Sequence, residues 1–150
     1  DGGLFKLAAS EEFVSRPDVL PAFEETYGFS LGEENLLVFS GGNTATTMQA
    51  AARQRENVNA AMAYGTDGQL SALGLVVLDD TMGVQPVYLP TPIIRQEVLN
   101  QYPEIEEALA PVFESLDRET LQALNSAIAV EGRAAEAVAE EYLMENGYLE

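Results

Sequence analysis

The side chains able to do chemistry in this chain are few in kind. It has no His, Cys or Trp, and 25 Asp and Glu stand against 7 Lys and Arg, a formal charge of −18. That excludes Ser–His and Cys–His nucleophile pairs, thiolate metal sites and redox dithiols. Carboxylates, Lys, Arg, Tyr, Ser and Thr remain. The first cluster of interest is Glu11-Glu12-Phe13-Val14-Ser15-Arg16-Pro17-Asp18, between a strand-like and a helix-like run. Loops at the carboxyl ends of strands are where ligands sit in open α/β sheets. An Arg there can hold a ligand carboxylate by a bidentate pair. Equally, Arg16 can pair with Glu12 or Asp18 on the surface, as most exposed ion pairs do.

A second cluster is Ala63-Tyr64-Gly65-Thr66-Asp67-Gly68, again a strand end running toward a helix. The Tyr64 ring can face a cation, whereas Thr66 or Asp67 can simply cap the next helix. Tyr88, in a Pro-rich run, suits a ligand wall, an interface or a core. Gly41-Gly42-Asn43-Thr44 lacks both the Lys of a phosphate loop and the dinucleotide-binding glycine spacing, so nucleotide binding is rejected. The acid pairs Glu24-Glu25, Glu33-Glu34, Glu106-Glu107 and Glu140-Glu141 read as solvated faces. Asp79-Asp80 forms a metal site only with partners the sequence does not supply, and no metal or other cofactor is expected.

These residues need a scaffold, and the pattern supplies an α/β one. Leu4 to Ala9 reads as a strand, Asp18 to Tyr27 as a helix with Asp18 as N-cap and Gly28 just past its end. Leu36 to Phe39 reads as a second strand and Asn43 to Ala52 as a helix. Val58 to Tyr64 alternates with the period of a third strand. A short helix from Thr66 to Leu73 and a fourth strand over Leu75 to Leu78 follow. Val84 to Arg95 carries Pro86, Pro90 and Pro92, which removes ladder donors and marks a crossing or an edge. Beyond Arg95 the spacing is helical, with Pro103 opening one helix, Asp117 capping the next, and Ala134 to Asn146 forming the last. The chain thus divides into about 95 residues of α/β and about 55 of helices. The helical part has no sheet of its own and must pack on the first part, on another chain or on something absent.

Composition bounds the partners. With 47% apolar residues the chain can bury a core. Its negative charge disfavours nucleic acid and anionic membrane surfaces. The longest apolar run, Leu73 to Leu78, is far short of the ~20 residues of a membrane span. Asp1-Gly2-Gly3-Leu4 has neither a basic start nor an apolar stretch behind it, so no signal peptide is expected in these residues. One was never there, or was removed, or the chain starts inside a longer protein.

Taken in order, the motifs resemble the substrate-binding proteins of osmoprotectant ABC importers, which bind glycine betaine, choline and related quaternary amines. The likeness is carried by Phe5-Lys6-Leu7, Glu12 to Pro21, Tyr27-Gly28-Phe29, Ser40 to Thr44, Asn59 to Gly68, Leu75 to Asp80 and Gln85 to Arg95. It implies an α/β fold: a type II periplasmic-binding-protein-like lobe, with a mixed sheet flanked by helices, followed by a C-terminal helical segment. Members of that family are about twice as long and have two lobes. The resemblance therefore implies that residues 1–84 are the second lobe, 85–95 a hinge and return crossing, and 96–150 helices belonging to the first lobe. It also implies a cage of rings for the trimethylammonium group, with Tyr64 and Tyr88 as cage tyrosines. Phe13 and Arg16 match the family's aromatic-and-arginine site, with Glu12 beside them and Thr66 completing the set.

The function so implied is capture of a compatible solute for osmoprotective import, with ABC permease subunits as partners, a periplasmic or extracytoplasmic location and no enzymatic step. A quaternary ammonium has no N–H to donate, so ring faces are what can recognise it. Two other readings stand beside this one. A carboxylate-based hydrolase needs two facing acids, and no motif places them. A self-associating fragment, with apolar helix faces left open, binds no ligand.

Overall fold

The computed structural model describes residues 5–85 and 88–149. Its centre is a small sheet of β1 (Leu7–Ser10), β2 (Leu36–Phe39) and β3 (Ala60–Ala61), in the order β2-β1-β3. Both pairings are parallel: Leu7 to Ser10 run beside Leu36 to Phe39, and Leu7-Ala8 beside Ala60-Ala61. A central strand buried on both faces has no room for alternation, and every residue of β1 is buried.

Two apolar clusters sandwich that strand. On one face Leu7 and Ala9 pack with Leu20, and half-buried Phe13, Val14 and Met62 cover them. On the other, Ala8 packs with Ala50, Ala51 and the fully buried Val58. The second cluster comes from α3 (Thr44–Ala52), whose alanines let the helix lie close to the sheet. Asn43 caps α3, its side chain accepting from the Ala45 amide at 3.0 Å. Thr47 is buried in the same helix, and its hydroxyl reaches the Thr44 carbonyl at 2.9 Å and the Met62 carbonyl at 2.5 Å. A buried hydroxyl with two acceptors is satisfied, and it ties α3 to the chain leaving β3.

On the opposite face lie α1 (Glu11–Ser15) and α2 (Leu20–Tyr27). Ser10 ends β1 and caps α1 through the Phe13 amide at 3.1 Å. Gly28 closes α2 in the left-handed region, φ 69°, where a glycine carries no Cβ penalty.

Several expectations are corrected. The first strand starts at Leu7 and runs through Ser10; Leu4 lies outside the described residues. Asp18 does not cap α2. Val19 holds that position with no side-chain cap, because the Asp18 carboxylate is turned to Arg16. The third strand pairs only over Ala60–Ala61. Thr66 to Leu73 forms successive turns rather than a helix. Leu75 to Leu78 is not a strand: Leu75 folds back onto the α3 face, while Val76 and Leu78 are 84% and 80% exposed with no ladder partner.

From Leu75 to Arg95 the described residues form no helix or strand; Pro86 and Val87, within the expected crossing, lie outside them. Entry to this segment is anchored on α2. The Tyr27 hydroxyl donates to Asp80 at 2.5 Å and accepts from the Met82 amide at 2.9 Å, while Asp80 also accepts from the Gln85 amide at 2.8 Å.

The chain ends in α4 (Gln96–Gln101), α5 (Glu104–Ser115), α6 (Arg118–Ala129) and α7 (Ala135–Glu145). Pro103 stands just before α5 and Asp117 caps α6 by accepting from the Thr120 amide at 2.8 Å. Ser115 and Tyr142 meet at 2.7 Å and join α5 to α7. No described helix is long and apolar enough to cross a membrane.

Candidate functional site

The strand order defines where a ligand would sit. From β1 the chain crosses to β2 on one side and then to β3 on the other, so the crossovers diverge at the carboxyl ends of β1 and β3. Such a switch point opens a crevice. Parallel neighbours lie about 4.8 Å apart, so the Ser10-to-Asp18 and Met62-to-Gly68 segments emerge side by side. The Ser10 hydroxyl already reaches across to the Met62 sulfur at 3.4 Å. These segments hold five of the six residues the sequence singled out.

Arg16 is the charged centre. Its Nε and Nη2 form a side-on fork with the two Asp18 oxygens, at 2.8 and 2.7 Å. Nη1 donates to Glu12 at 2.8 Å. The Tyr88 side chain lies near this guanidinium. Asp18 first, then Glu12 and Tyr88, hold the Arg16 pKa above its ordinary value. The same fork holds the Asp18 carboxyl below the usual carboxylate range. The structure therefore brings Glu12, Arg16 and Tyr88 together, although Tyr88 comes from the distant Pro-rich segment. It also realises the surface pairing that stood as the plainer option for Arg16.

Phe13 points elsewhere. It is half-buried against the Leu7, Ala9 and Leu20 cluster, so much of its ring belongs to the core. Tyr64 is 60% exposed and Tyr88 65%, so both rings keep an open face. Tyr64 is held through its backbone: its amide donates to the Asp67 carboxylate at 2.8 Å. Thr66 has its carbonyl taken by the Asn125 side chain at 2.8 Å, and the Gln122 amide reaches the Gly65 carbonyl.

Those α6 contacts are what the sequence reading missed. Gln122 and Asn125 clamp the turn that carries Tyr64, and Gly68 lies so close to α6 that a side chain would meet the Asn125 and Ser126 backbone. Only the polar face of α6 hinted at this, and a polar face reads as solvent-facing. Beside the clamp an open cavity of about 290 Å³ lies between the start of α3, the Asp67-to-Gln69 turn and α6. None of the six candidates lines it. No group of three or more acidic residues suited to a metal occurs among the described residues.

The fold is that of the type II periplasmic binding proteins. The chain belongs to a particular family of these: residues 4–145 match the substrate binding domain of the ABC-type glycine betaine transport system. It is 57% identical over 148 residues to the glycine betaine-binding protein YehZ of Escherichia coli K12, covering 99% of this chain and 48% of that one. The solved structure of apo YehZ superposes with a TM-score of 0.78, over 99% of this chain and 53% of that one. A glycine-betaine-binding protein of Pseudomonas aeruginosa is 31% identical over 149 residues, covering 99% of this chain and 46% of that one. A glycine betaine/carnitine/choline ABC transporter structure, 26% identical, gives a TM-score of 0.79 over 96% of this chain and 50% of that one. The chain thus spans about half the length of the relatives it matches.

Proposed function

We propose that this chain supplies one lobe, and helices of the other, in a two-lobed receptor for a quaternary-ammonium compatible solute. The receptor captures glycine betaine, choline or a close analogue outside the cytoplasmic membrane and delivers it to ABC permease subunits without chemical change. The observation that carries this reading is the match to the family along nearly the whole chain, with Arg16 and Glu12 paired beyond the carboxyl end of β1. Open Tyr faces suit a cation with no N–H, at about 0.5–2 kcal/mol per ring. Arg16 suits the carboxylate of a betaine.

On this reading residues 1–84 form the second lobe, 85–95 the hinge and return crossing, and 96–150 a part of the first lobe. Support comes from the lack of regular elements over the described part of 75–95, and from how little of the helical part is buried. Closure of the lobes by hinge motion then reports the bound solute to the permease.

Calorimetry tests the proposal in two arms. The chain alone holds part of the cage and is expected to bind betaine weakly or not at all; micromolar binding by it would overturn the half-site reading. In the longest natural form of the protein that carries this chain, Arg16→Ala is expected to weaken glycine betaine more than choline, which has no carboxylate. Tyr64→Ala and Tyr88→Ala are expected to weaken both.

A second reading is favoured by one observation. Val76, Leu78, Leu89 and Ile93 are 84%, 80%, 72% and 98% exposed, uncovered apolar residues along the irregular segment 75–95. Such surface promotes association, so the isolated chain is expected to self-associate through it. Light scattering that stays monomeric across a concentration series would remove this reading.

A further inference from the structure

The Arg16 guanidinium already holds a carboxylate in the geometry a ligand would need. Asp18 occupies its side-on fork at two points, and Glu12 takes one donor on the remaining edge. Three of the five N–H groups are thus engaged by two carboxylates, Glu12 in α1 and Asp18 just beyond it. A ligand carboxylate seeking a forked pair must displace Asp18 or share the edge with Glu12. The field is also unfavourable to an incoming anion. Glu12 and Asp18 set two negative charges against the single positive charge of Arg16. A ligand bearing only a quaternary ammonium meets neither obstacle: it competes for no Arg16 donor and gains from the surplus charge.

We infer that Asp18 is a specificity-determining residue, a built-in carboxylate that competes with the carboxylate of zwitterionic ligands for Arg16 and so tilts the site toward purely cationic ones. The inference rests on the solute-receptor reading above. Asp18 is free for this role because it does nothing for the helix behind it: α2 starts at Val19 without a side-chain cap. Its carboxylate is 59% exposed, so it can swing away when displaced. Exposure also limits the size of the effect, since exposed pairs are individually weak.

The test is binding of glycine betaine and choline by calorimetry to the longest natural form of the protein carrying this chain, as wild type, Asp18→Asn and Glu12→Gln. Asparagine keeps the shape of Asp18 and cannot compete as an anion. Betaine is expected to bind Asp18→Asn about two- to fivefold more tightly, the range an exposed ion pair commands, with choline unchanged or slightly weaker. Glu12→Gln is expected to show a smaller gain, because Glu12 holds a single donor. An unchanged or weakened betaine affinity in Asp18→Asn overturns the inference while leaving the receptor reading intact. Equal gains for betaine and choline also overturn it, since choline has no carboxylate to benefit. Failure of the wild type to bind either compound overturns the receptor reading and this inference with it.

Discussion

The two parts of the chain bury themselves very differently. Residues through Leu70 contribute nearly all the buried positions: Leu7, Ala8, Ala9, Val19, Leu20, Met48, Ala50, Ala51, Val58 and Leu70, with Ser10 and Thr47 as polar members. Among the described residues from Gln96 onward only Ala127 and Val138 are buried. Both parts have apolar residues at the spacing their elements require. What differs is a surface to pack against. A sheet covered on both faces closes a core by itself, whereas helices with one apolar stripe need a neighbour. The α/β part has the former; the helical part borrows a few contacts through α6 and leaves Tyr102, Val130 and Met144 exposed.

Paired cavity mutants sharpen this contrast most. Met48 is 1% exposed in the α/β core, and Met48→Ala is expected to cost about 2–5 kcal/mol in urea unfolding. Val138 is 4% exposed but stands in the thinly buried part, so Val138→Ala is expected to cost roughly 1–2 kcal/mol, the transfer term with little added for a cavity. Equal losses would mean that the helices share one cooperative core with the sheet, and the contrast would be void.

The next test breaks the junction between α6 and the turn that ends at Gly68. A methyl at Gly68 would push against the Asn125 and Ser126 backbone, which cannot yield as a flexible side chain can. Gly68→Ala is expected to cost about 1–3 kcal/mol as an overpacking change. It should also separate α6 from the Thr66 carbonyl, seen as faster amide exchange around Thr66 and Asn125. If exchange and stability are both unchanged, α6 is not seated on this turn.

How much of this was legible in the sequence follows the same division. Leu36 to Phe39, the Asp117 cap and the Gly28 terminus depend on neighbours a few residues away, and the structure has them as read. Leu75 to Leu78 has the composition of a buried parallel strand, but apolar residues state a preference for burial and do not supply a partner strand. Asp18 has a sound capping side chain and lost that role to a stronger bond, a charged fork with Arg16 two residues away. For the proposed site, the family resemblance marked Glu12, Phe13, Arg16, Tyr64, Thr66 and Tyr88 as candidates, and local spacing added little to it. The meeting of Tyr88 with Arg16 and the α6 clamp on the Tyr64 turn are contacts between distant segments, which no local spacing encodes.

Within the α/β part, Thr47 tests whether polar contacts matter beside the apolar core. Thr47→Val keeps the volume and removes the hydroxyl, leaving the Met62 carbonyl without that donor. A lost bond at a buried position is expected to cost about 1–2 kcal/mol, and to loosen the segment leading to Tyr64. The comparison with Met48→Ala is direct, since both side chains lie on α3 against the sheet. A null result would assign the fixing of that segment to apolar packing alone.

The smallest expected effect lies at the border, where α2 grips the start of the crossing. The Tyr27 hydroxyl first, then the Gln85 amide, holds the Asp80 carboxyl below its ordinary value. A carboxyl whose folded pKa is depressed adds stability above the unfolded value, and that share is lost as pH falls through the folded one. The grip is therefore complete at neutral pH and weakens on acidification below the usual carboxylate range. Tyr27→Phe removes the first cause, so the Asp80 pKa should rise toward its ordinary value. The stability difference between wild type and variant should then be present at neutral pH and shrink toward zero as both carboxyls become protonated. Asp80 is only half-buried, so the difference should be small and should shrink in high salt. Urea midpoints measured from neutral to acid pH check this: a Tyr27→Phe difference that stays constant through the acid range would assign the role of Tyr27 to its packing against Phe23, whose ring stacks on it at 5.9 Å, rather than to the Asp80 bond.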